Sequence, residues 1–392
     1  WNVSRESWLA DNQTISNLKL HTSYGMTGNS EISPYSSLGK VTSGTLLIGG
    51  ARNPYSYISS IANPDLKWEK TGQFDVGVEL GLWNQRLTFD VSWYHKKTTD
   101  LLLSCPLPHS SGFTSIYKNI GSVKNSGLDI MISGNPVQTE DFNWTSTISA
   151  NYNKNEILEL GETNADIELY SWVGGNEAIL RVGESMGSFY GYKRLGVWTE
   201  EDYNAGKCEL KQVGRARREG SKSILGKGTP DWSFGLNIGF EWKGIDFSML
   251  LQGVVGNQAF NVTRRTDLYY INLPKTILNR WTGEGTSDTQ PRFMFDSPNN
   301  NYRSSDLWVE DASFLRARNV QLGYTLPQKW TKKFFVQRLR VYAQAENLFT
   351  LTKYSGCDPE VTGGNGFSSD LGVDRGVYPQ SRTFSVGVNL NF

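Results

Sequence analysis

The sequence is poor in the residues that build metal centres, disulfide frameworks and helical membrane spans. Its 392 residues include only three cysteines and three histidines. Cys105, Cys208 and Cys357 are odd in number and show no CxxC spacing, so neither a disulfide framework nor a zinc knuckle is expected. No apolar run approaches the roughly 18 to 20 residues of a spanning helix, which excludes a helical membrane protein. The 39 Lys+Arg residues balance the 39 Asp+Glu residues, so the charge does not favour binding to nucleic acid.

Glycine and aromatic residues are abundant instead, with 40 Gly, 13 Trp, 18 Tyr and 18 Phe, and this composition favours β structure. Apolar residues alternate with polar ones at a period of two, as in strands with a different environment on each face. In the last segment one face carries Phe384, Val386, Val388, Leu390 and Phe392, and the other carries Thr383, Ser385, Gly387, Asn389 and Asn391. Similar segments begin at Gln73, Leu87, Leu128, Ser233, Phe247, Val320 and Leu339, with weaker ones at 17–25 and 142–156. We therefore predict about ten strands, several of them longer than is usual in globular sheets.

The connections between these strands are of two kinds. Short links are predicted at 83–86, 135–141, 243–244 and 327–337, and long ones at 27–70, 103–121, 157–230, 259–312 and 350–379. Because consecutive antiparallel strands reverse direction, the short links fall on one side of the sheet and the long links on the other. A soluble sandwich also alternates polar and apolar residues, but it has no reason to separate its links in this way. The pattern predicts an all-β fold, a transmembrane antiparallel β-barrel with long loops on one side and short turns on the other.

The two faces of such a barrel meet different surroundings. The apolar face would contact outer-membrane lipid, with Trp83, Trp93, Trp242 and Tyr324 near the interfaces. The polar face would line a wet or plugged lumen, and it carries Asp75, Glu79, Asp90, Asp129, Gln252, Gln344 and Glu346. About ten strands alone would leave two open edges in hydrocarbon, so further strands are expected before Trp1.

The last strand carries a pattern of its own. Ser385, Gly387, Leu390 and Phe392 fit the sequence polar-x-Gly-x-x-hydrophobic-x-aromatic that ends bacterial outer-membrane barrels. A strand edge with a flat glycine and an apolar, aromatic-ended face can pair with the assembly machinery and then close the barrel. We expect these four residues to form a C-terminal signal for the outer-membrane assembly machinery.

A series of short sequence blocks runs along the whole chain. The blocks are SYGMTGN at 23–29, NPDLKWEK at 63–70, NIG at 119–121, NSG at 125–127, GSFYGY at 187–192, VEDASFLR at 309–316, LGYTLP at 322–327 and NLFT at 347–350. In this order they resemble the SusC-like (RagA-type) TonB-dependent transporters of the Bacteroidetes outer membrane.

The resemblance implies an architecture, a role and partners. Residues 1–392 would be the C-terminal part of a barrel of about 22 strands, with the signal peptide, TonB box and plug domain outside this sequence. Such transporters import oligosaccharides or oligopeptides with energy from the TonB-ExbB-ExbD complex, and each pairs with a SusD-like lipoprotein cap. No enzymatic activity and no cofactor are implied. The long loops would be extracellular, and the short turns and the C-terminus periplasmic.

Aromatic side chains in the long loops are the candidates for substrate contact. A ring offers flat apolar area to sugar rings or peptide side chains and has little entropy to lose. The candidates are Tyr170, Trp172, Tyr269, Tyr270 and Trp308. The same side chains could instead pack the loops together or contact the cap.

A basic stretch stands in the longest loop where many relatives have an acidic one. Those relatives follow the block at 187–192 with an EF-hand-like loop whose oxygens suit Ca²⁺, whereas the stretch from Lys211 to Lys222 is basic. No metal site is therefore expected. We interpret the stretch as a solvated loop, with contact to an anionic ligand or lipopolysaccharide as the alternative.

No catalytic constellation emerges from the sequence. His21, His95 and His109 lie in separate segments, and Gly226-Lys227-Gly228 lacks the spacing of a phosphate-binding loop. The acidic run at 200–202 and the pair Asp358 and Glu360 are interpreted as solvated surface rather than as paired catalytic carboxylates. Two other classes stay open: a passive porin or barrel-anchored surface protein, and a soluble β-rich carbohydrate-binding protein.

Overall fold

Ten strands form a single antiparallel meander in the computed structural model, which describes residues 1–30, 34–161, 163–169, 177–264, 272–294, 301, 303–361 and 371–392. The strands are β1 (Ile15–Asn29), β2 (Glu69–Leu82), β3 (Leu87–Thr99), β4 (Ser122–Gln138), β5 (Phe142–Glu159), β6 (Trp232–Trp242), β7 (Ile245–Val255), β8 (Phe314–Thr325), β9 (Arg338–Glu346) and β10 (Thr383–Asn391). Their order in the sheet follows the chain, and a short strand, Thr350–Thr352, also pairs with β8. The all-β fold predicted from the alternation is confirmed, in the form of a partial barrel.

The strand register puts the two sets of alternating residues on opposite faces of the sheet. Val78 pairs with Val91 on the apolar face, and Glu79 pairs with Asp90 on the polar face. On β10 the apolar side chains are open to the surroundings, with Val386 80% exposed. Such exposure of a long apolar face is what a surface in contact with lipid requires.

The link lengths agree with the predicted separation. The short links are 83–86, 139–141, 243–244 and 326–337, and the long ones are 30–68, 100–121, 160–231, 256–313 and 347–382. The second short link is shorter than predicted, because β4 continues to Gln138 through a register shift between Gly134 and Val137. Lys243 and Gly244 turn the chain with φ of 48° and 89°, the left-handed values of a two-residue hairpin turn.

The long links contain their own short elements. Two hairpins pair Val41–Ile48 with Ala51–Ile58 and Leu102–Pro106 with Ser115–Asn119. A four-stranded sheet consists of Ile167–Leu169, Ala178–Leu180, Ser188–Val197 and Ala216–Gly226. A three-stranded sheet consists of Val309–Asp311, Gln258–Asn261 and Val373–Asp374. The helices are Glu200–Asn204 and Gln328–Thr331, with 3₁₀ turns at Val3–Arg5, His109–Ser111, Leu210–Gln212, Val262–Arg264, Lys275–Asn279, Asp306–Trp308 and Lys332–Phe334. None of the described helices has the length and apolar character needed to cross a membrane.

Most of the buried apolar side chains lie in the long links rather than in the sheet. Phe189, Phe260, Trp308 and Val373 form one cluster and come from three different long links. We call the described residues of these three links, 160–231, 256–313 and 347–382, the loop assembly. Their shared core makes them one packed unit beside the sheet.

Candidate functional site

The polar face of the sheet is a hydrogen-bonded wall whose side chains engage one another across strands. Lys19 on β1 pairs in register with Glu79 on β2, and its Nζ lies 2.6 Å from the Glu79 Oε1. His21 and Ser92 meet over Gly77 on the strand between them, at 3.3 Å from Nε2 to Oγ. Contact across an intervening strand is possible because Gly77 has no side chain to separate them.

A concave region of about 760 Å³ opens on this wall. It is lined by residues of β1 to β7, and three carboxylates, those of Asp75, Asp90 and Asp129, face into it. Each accepts a neighbouring donor: Ser23 Oγ at 3.1 Å for Asp75, Ser92 Oγ at 3.3 Å for Asp90, and Asn151 Nδ2 at 2.6 Å for Asp129. Fixed acceptors along a wet wall suit the passage of a polar solute.

The wall becomes basic toward β9. The Arg340 guanidinium crosses β8 to reach Asp246 on β7, with 2.8 Å between Nε and Oδ1 and a second contact from Nη2. Gly323 lies beneath this ion pair, and a Cβ at that position would meet both partners. The bridge therefore ties three strands together through a residue that has no side chain.

The loop assembly is anchored to β8 through a buried arginine. Arg316 is 2% exposed, and its guanidinium donates to Asp358 at 2.6 Å, to Glu360 at 2.9 Å and to Thr350 at 2.9 Å. Arg318, two residues on, binds the other oxygen of Glu360. A bulge in the pairing of β7 with β8 leaves Arg318 without a register partner on β7. These contacts fix the long β9–β10 link to the rim of the sheet.

Asp358 is held ionised inside this network. Burial opposes the charged form, but hydrogen bonds from the backbone of Glu360 and Gln380 and from Arg316 outweigh it, so the pKa of Asp358 lies below its usual value. Gln380 donates its N–H to Asp358 at 3.1 Å. One carboxylate therefore joins the segment around Asp358 and Glu360 to the end of the long link at Gln380. The prediction that Asp358 and Glu360 form solvated surface is wrong, because both carboxylates are engaged by arginines.

A second carboxylate joins two long links. Glu310 accepts from Arg264 at 2.8 Å and from the Ser355 N–H at 2.9 Å. Burial opposes its ionisation, but the Ser355 and Arg264 contacts dominate and lower the pKa of Glu310. Nearby, the Tyr354 hydroxyl donates to the buried Asp374 at 2.5 Å, and burial together with this carboxylate raises the pKa of Tyr354. Charge pairing thus complements the apolar core of the loop assembly.

In the acidic run at 200–202, Glu200 and Glu201 are exposed as predicted, but Asp202 is not part of the solvated surface. Asp202 is 7% exposed, and its backbone N–H is capped by the Thr199 hydroxyl at the start of Glu200–Asn204. Its carboxylate meets Lys207 at 3.3 Å and Arg217 at 3.5 Å. This carboxylate is a structural cap and ion-pair partner.

Of the five aromatic residues predicted to contact substrate, Trp308 lies within the described part of the chain. Tyr170, Trp172, Tyr269 and Tyr270 lie outside the described residues, so substrate contact by them stays a prediction. Trp308 is 1% exposed and donates its Nε1 to the Arg303 carbonyl at 3.2 Å. Its ring is enclosed in the core of the loop assembly, so a substrate would reach it only if these loops opened.

The predicted assembly signal lies on the sheet edge. β10 pairs with β9 alone among the described strands, and its Leu390 and Phe392 are exposed on the apolar face. Gly387 lies opposite Tyr342, whose ring covers the space that a Cβ would need. Ser385 pairs with Gln344 on the polar face. The geometry is that of a free strand edge with one apolar face, and recognition by the assembly machinery stays a prediction.

In the described part of the chain, no three or more His, Cys, Asp or Glu side chains are grouped so as to hold a metal ion. The Arg316 network was missed by sequence reasoning, although VEDASFLR marked its strand. The partners Asp358 and Glu360 lie more than 40 residues further on, and no local pattern connects them to Arg316.

Relatives with known names match the whole chain. TonB-dependent receptor P3 of Formosa agariphila is 32% identical over 414 residues, covering 100% of this chain and 41% of its own length. TonB-dependent receptor SusC of Bacteroides thetaiotaomicron is 30% identical over 412 residues, covering 100% of this chain and 39% of its own. The chain therefore spans about two fifths of the length of these relatives.

The fold also matches solved structures. The structure of the RagAB peptide transporter superposes with a TM-score of 0.82 and 29% identity, over 100% of this chain and 42% of that one. The RagAB peptide importer in the "closed-closed" state gives a TM-score of 0.80 at 30% identity. The family profile described as "TonB dependent receptor-like, beta-barrel" matches residues 8–348. The chain belongs to the TonB-dependent receptors and forms part of their β-barrel, as the SusC-like sequence blocks predicted.

Proposed function

We propose that this chain forms wall and loops of a TonB-dependent transporter that imports oligopeptides or oligosaccharides across the outer membrane together with a SusD-like lipoprotein. The observation that carries the proposal is the sheet with one apolar and one hydrogen-bonded polar face. The whole of this chain superposes on 42% of the RagAB transporter chain. A passage bounded by such a wall is wet and selects for polar solutes. The chain itself supplies surfaces for binding and passage and carries out no reaction on the solute.

The loop assembly supports the extracellular side of this proposal. All long links leave the same side of the sheet, and the shared core of three of them keeps the loop assembly folded where a polar solute would enter. In this orientation the short turns and the C-terminus face the periplasm, where energy from the TonB complex is delivered. The Arg316 network would hold the loops in place while that energy acts elsewhere in the transporter.

An exposed hairpin supports the existence of a partner. Val41–Ile48 and Ala51–Ile58 pair only with each other among the described strands, and Leu47, Ile48 and Ile58 are each more than 60% exposed. A two-stranded ribbon with apolar side chains on its surface is marginal alone in water. A lipoprotein seated on the loops would cover these side chains.

Uptake in cells tests the transport proposal. In cells that carry the full transporter, deletion of the TonB complex is expected to abolish uptake of a labelled substrate pool. Oligopeptide and oligosaccharide pools are supplied separately to identify the class. Uptake that persisted without TonB would overturn active import and indicate a passive channel.

Co-purification tests the partner. Replacing Leu46, Leu47 and Ile48 by Ser is expected to lower recovery of the lipoprotein with the transporter. Leu278→Ser, which removes an apolar side chain that is 71% exposed in another long link, serves as the matched control. Equal recovery from both variants would exclude the hairpin from the contact.

A further inference from the structure

The basic stretch is folded, contrary to the solvated loop predicted from the sequence. Ala216–Gly226 is a strand that pairs with Ser188–Val197, with Arg218 opposite Arg194 in the register. Arg215, Arg217 and Arg218 are all partly buried. Their charges therefore need partners, since a partly desolvated charge is costly without one.

Arg217 has such partners. Its guanidinium lies 4.8 Å from the centre of the Trp198 ring and 3.5 Å from the Asp202 carboxylate. Both contacts are on one face of the strand, and they neutralise and cover the charge.

Arg218 faces the other way and forms no such ion pair with the residues that the structure describes. Its guanidinium lies over the Tyr192 ring at 5.3 Å, and Asp306 on this side is already bound by Arg194 at 3.0 Å. The Nη1 atom of Arg218 is buried and finds no acceptor within the described residues. The charge that acts on it is Arg303, so burial first and then this like charge lower the pKa of Arg218.

A second arginine pair repeats the arrangement. The Nε atoms of Arg215 and Arg292 are both buried without an acceptor among the residues that the structure describes. Arg292 is held in place by its backbone N–H to Gly214 at 2.7 Å and by its Nη2 to the Lys211 carbonyl at 2.8 Å. Burial and the nearby Arg215 lower the pKa of Arg292. Like charges are thus held together, and the Nε donor of each arginine is unused within the described residues.

Such donors have a specific chemical complement. A guanidinium presents a planar fork of N–H groups that matches the oxygens of a carboxylate, sulfate or phosphate. An oxyanion would satisfy the unused donors and remove the repulsion within each pair. Arg303 is exposed, so the Arg218 pair is accessible from solvent.

We propose that Arg218 and Arg303 bind an oxyanion group of the transported oligomer; the choice of the oligomer as the source of this group rests on the proposed transport function. A carboxylate, sulfate or phosphate on a soluble oligomer has the required chemistry. Arg218 and Arg303 both lie in the loop assembly, whose Phe189 packs against Phe260 of the next long link. They are not on the lipid-facing strands, which favours a soluble ligand over a lipid headgroup.

Binding of inorganic sulfate and phosphate to the purified full-length transporter in detergent tests the site. We expect sulfate to raise the unfolding temperature of the loops, and Arg218→Gln and Arg303→Gln to weaken its binding by at least about tenfold, as the loss of one charged hydrogen bond implies. Arg217→Gln removes the same charge from the adjacent, neutralised arginine and is expected to leave binding unchanged. Equal binding by Arg218→Gln, Arg217→Gln and the unmodified protein would overturn the site.

A purely structural role for Arg218 gives a different result. It predicts that Arg218→Gln unfolds at a lower temperature even without an anion, whereas the proposed site predicts an unchanged or higher unfolding temperature there because a repulsive pair is relieved. Loss of stability in anion-free buffer, with sulfate binding retained, would therefore overturn the proposal.

Competition experiments identify the source of the anion. Carboxylated and sulfated oligomers should compete with sulfate better than a neutral oligosaccharide, and Arg218→Gln should slow uptake of the anionic oligomer alone. Competition by lipopolysaccharide alone would overturn the proposal that the ligand is a soluble oligomer. Uptake of the anionic oligomer that is TonB-dependent but equal in Arg218→Gln and in the unmodified protein would exclude this site from transport and leave the proposed transport function intact.

Discussion

Arg340 on β9 reaches across Gly323 on β8 to bind Asp246 on β7, so that one ion pair spans three strands of the polar wall. The pair is partly shielded, with side chains 13% and 26% exposed. Neutralising either residue leaves the other charge shielded from water without a partner, so the stabilisation by the pair depends on both residues.

We expect Arg340→Gln to lower the stability of the folded barrel by roughly 1–3 kcal/mol, less than for a fully buried pair because the wall is wet. Asp246→Asn in the same chain should add little, since the partner is already lost. The midpoint of heat modification on gels gives the readout. The control is Lys243→Gln, which breaks an ion pair with Asp141 whose side chains are 61% and 69% exposed. A loss of stability as large in the control would show that net charge, and not the bridge, is responsible.

Gly387 gives a prediction about strand closure. The Tyr342 ring occupies the space beside it, so Gly387→Val should displace the ring and lower the yield of folded barrel. Gly387→Val combined with Tyr342→Ala should recover part of the yield, because the ring no longer competes for the space. Unchanged yield in the single variant would show that the ring moves freely.

Phe392 gives a prediction about assembly. Its side chain is 77% exposed at the end of β10, so Phe392→Ala removes little packing. We therefore expect Phe392→Ala to lower the amount of heat-modifiable barrel in the outer membrane because recognition during assembly is lost, and not because packing is lost. Tyr378→Ala, which removes a side chain 87% exposed ahead of β10, is the control. Normal barrel levels for Phe392→Ala would end the assumed role in assembly.

Arg316 gives a prediction about the loops. Arg316→Gln leaves Asp358 buried without its charged partner, and such a loss costs about 3–5 kcal/mol. Faster hydrogen exchange is expected at 354–361, with the strands themselves protected. Lys211→Gln, which breaks a pair with Glu209 whose side chains are about 70% exposed, should leave exchange unchanged. Exchange that rose equally in the sheet would point to global unfolding instead.

The same network predicts a pH dependence. The pKa values of Asp358 and Glu310 are lowered in the folded protein, so their stabilising contribution is complete above their ordinary pKa values near 4. It is lost as the pH falls through the lower folded values. The protection factor of the long β9–β10 link, which is the intrinsic exchange rate at each pH divided by the observed rate, should therefore fall below about pH 4 and stay constant from pH 5 to 8. A protection factor that fell on the alkaline side would contradict the assignment.

The sheet could be predicted from the sequence because its signal is local. Alternation along β10 and the short turn at Lys243 and Gly244 each depend on neighbouring residues. About ten such alternating segments predicted the meander, and the lengths of the links predicted the side of the sheet on which each one lies. The loops could not be predicted in this way. Burial of Trp308 and Asp358 depends on partners from other links, and the basic stretch at Arg217 and Arg218 looked like solvated surface because sequence alone does not show which charges are paired.

Glycines in the polar wall determine how far its side chains project. Gly77, Gly127, Gly323 and Gly387 each receive a side chain from a neighbouring strand, respectively from His21, Tyr94, Arg340 and Tyr342. These long side chains therefore lie along the wall and not across the space in front of it. Replacing such glycines by larger residues would push the side chains outward, so under the proposed transport function these positions would set the free width of the passage beside the wall.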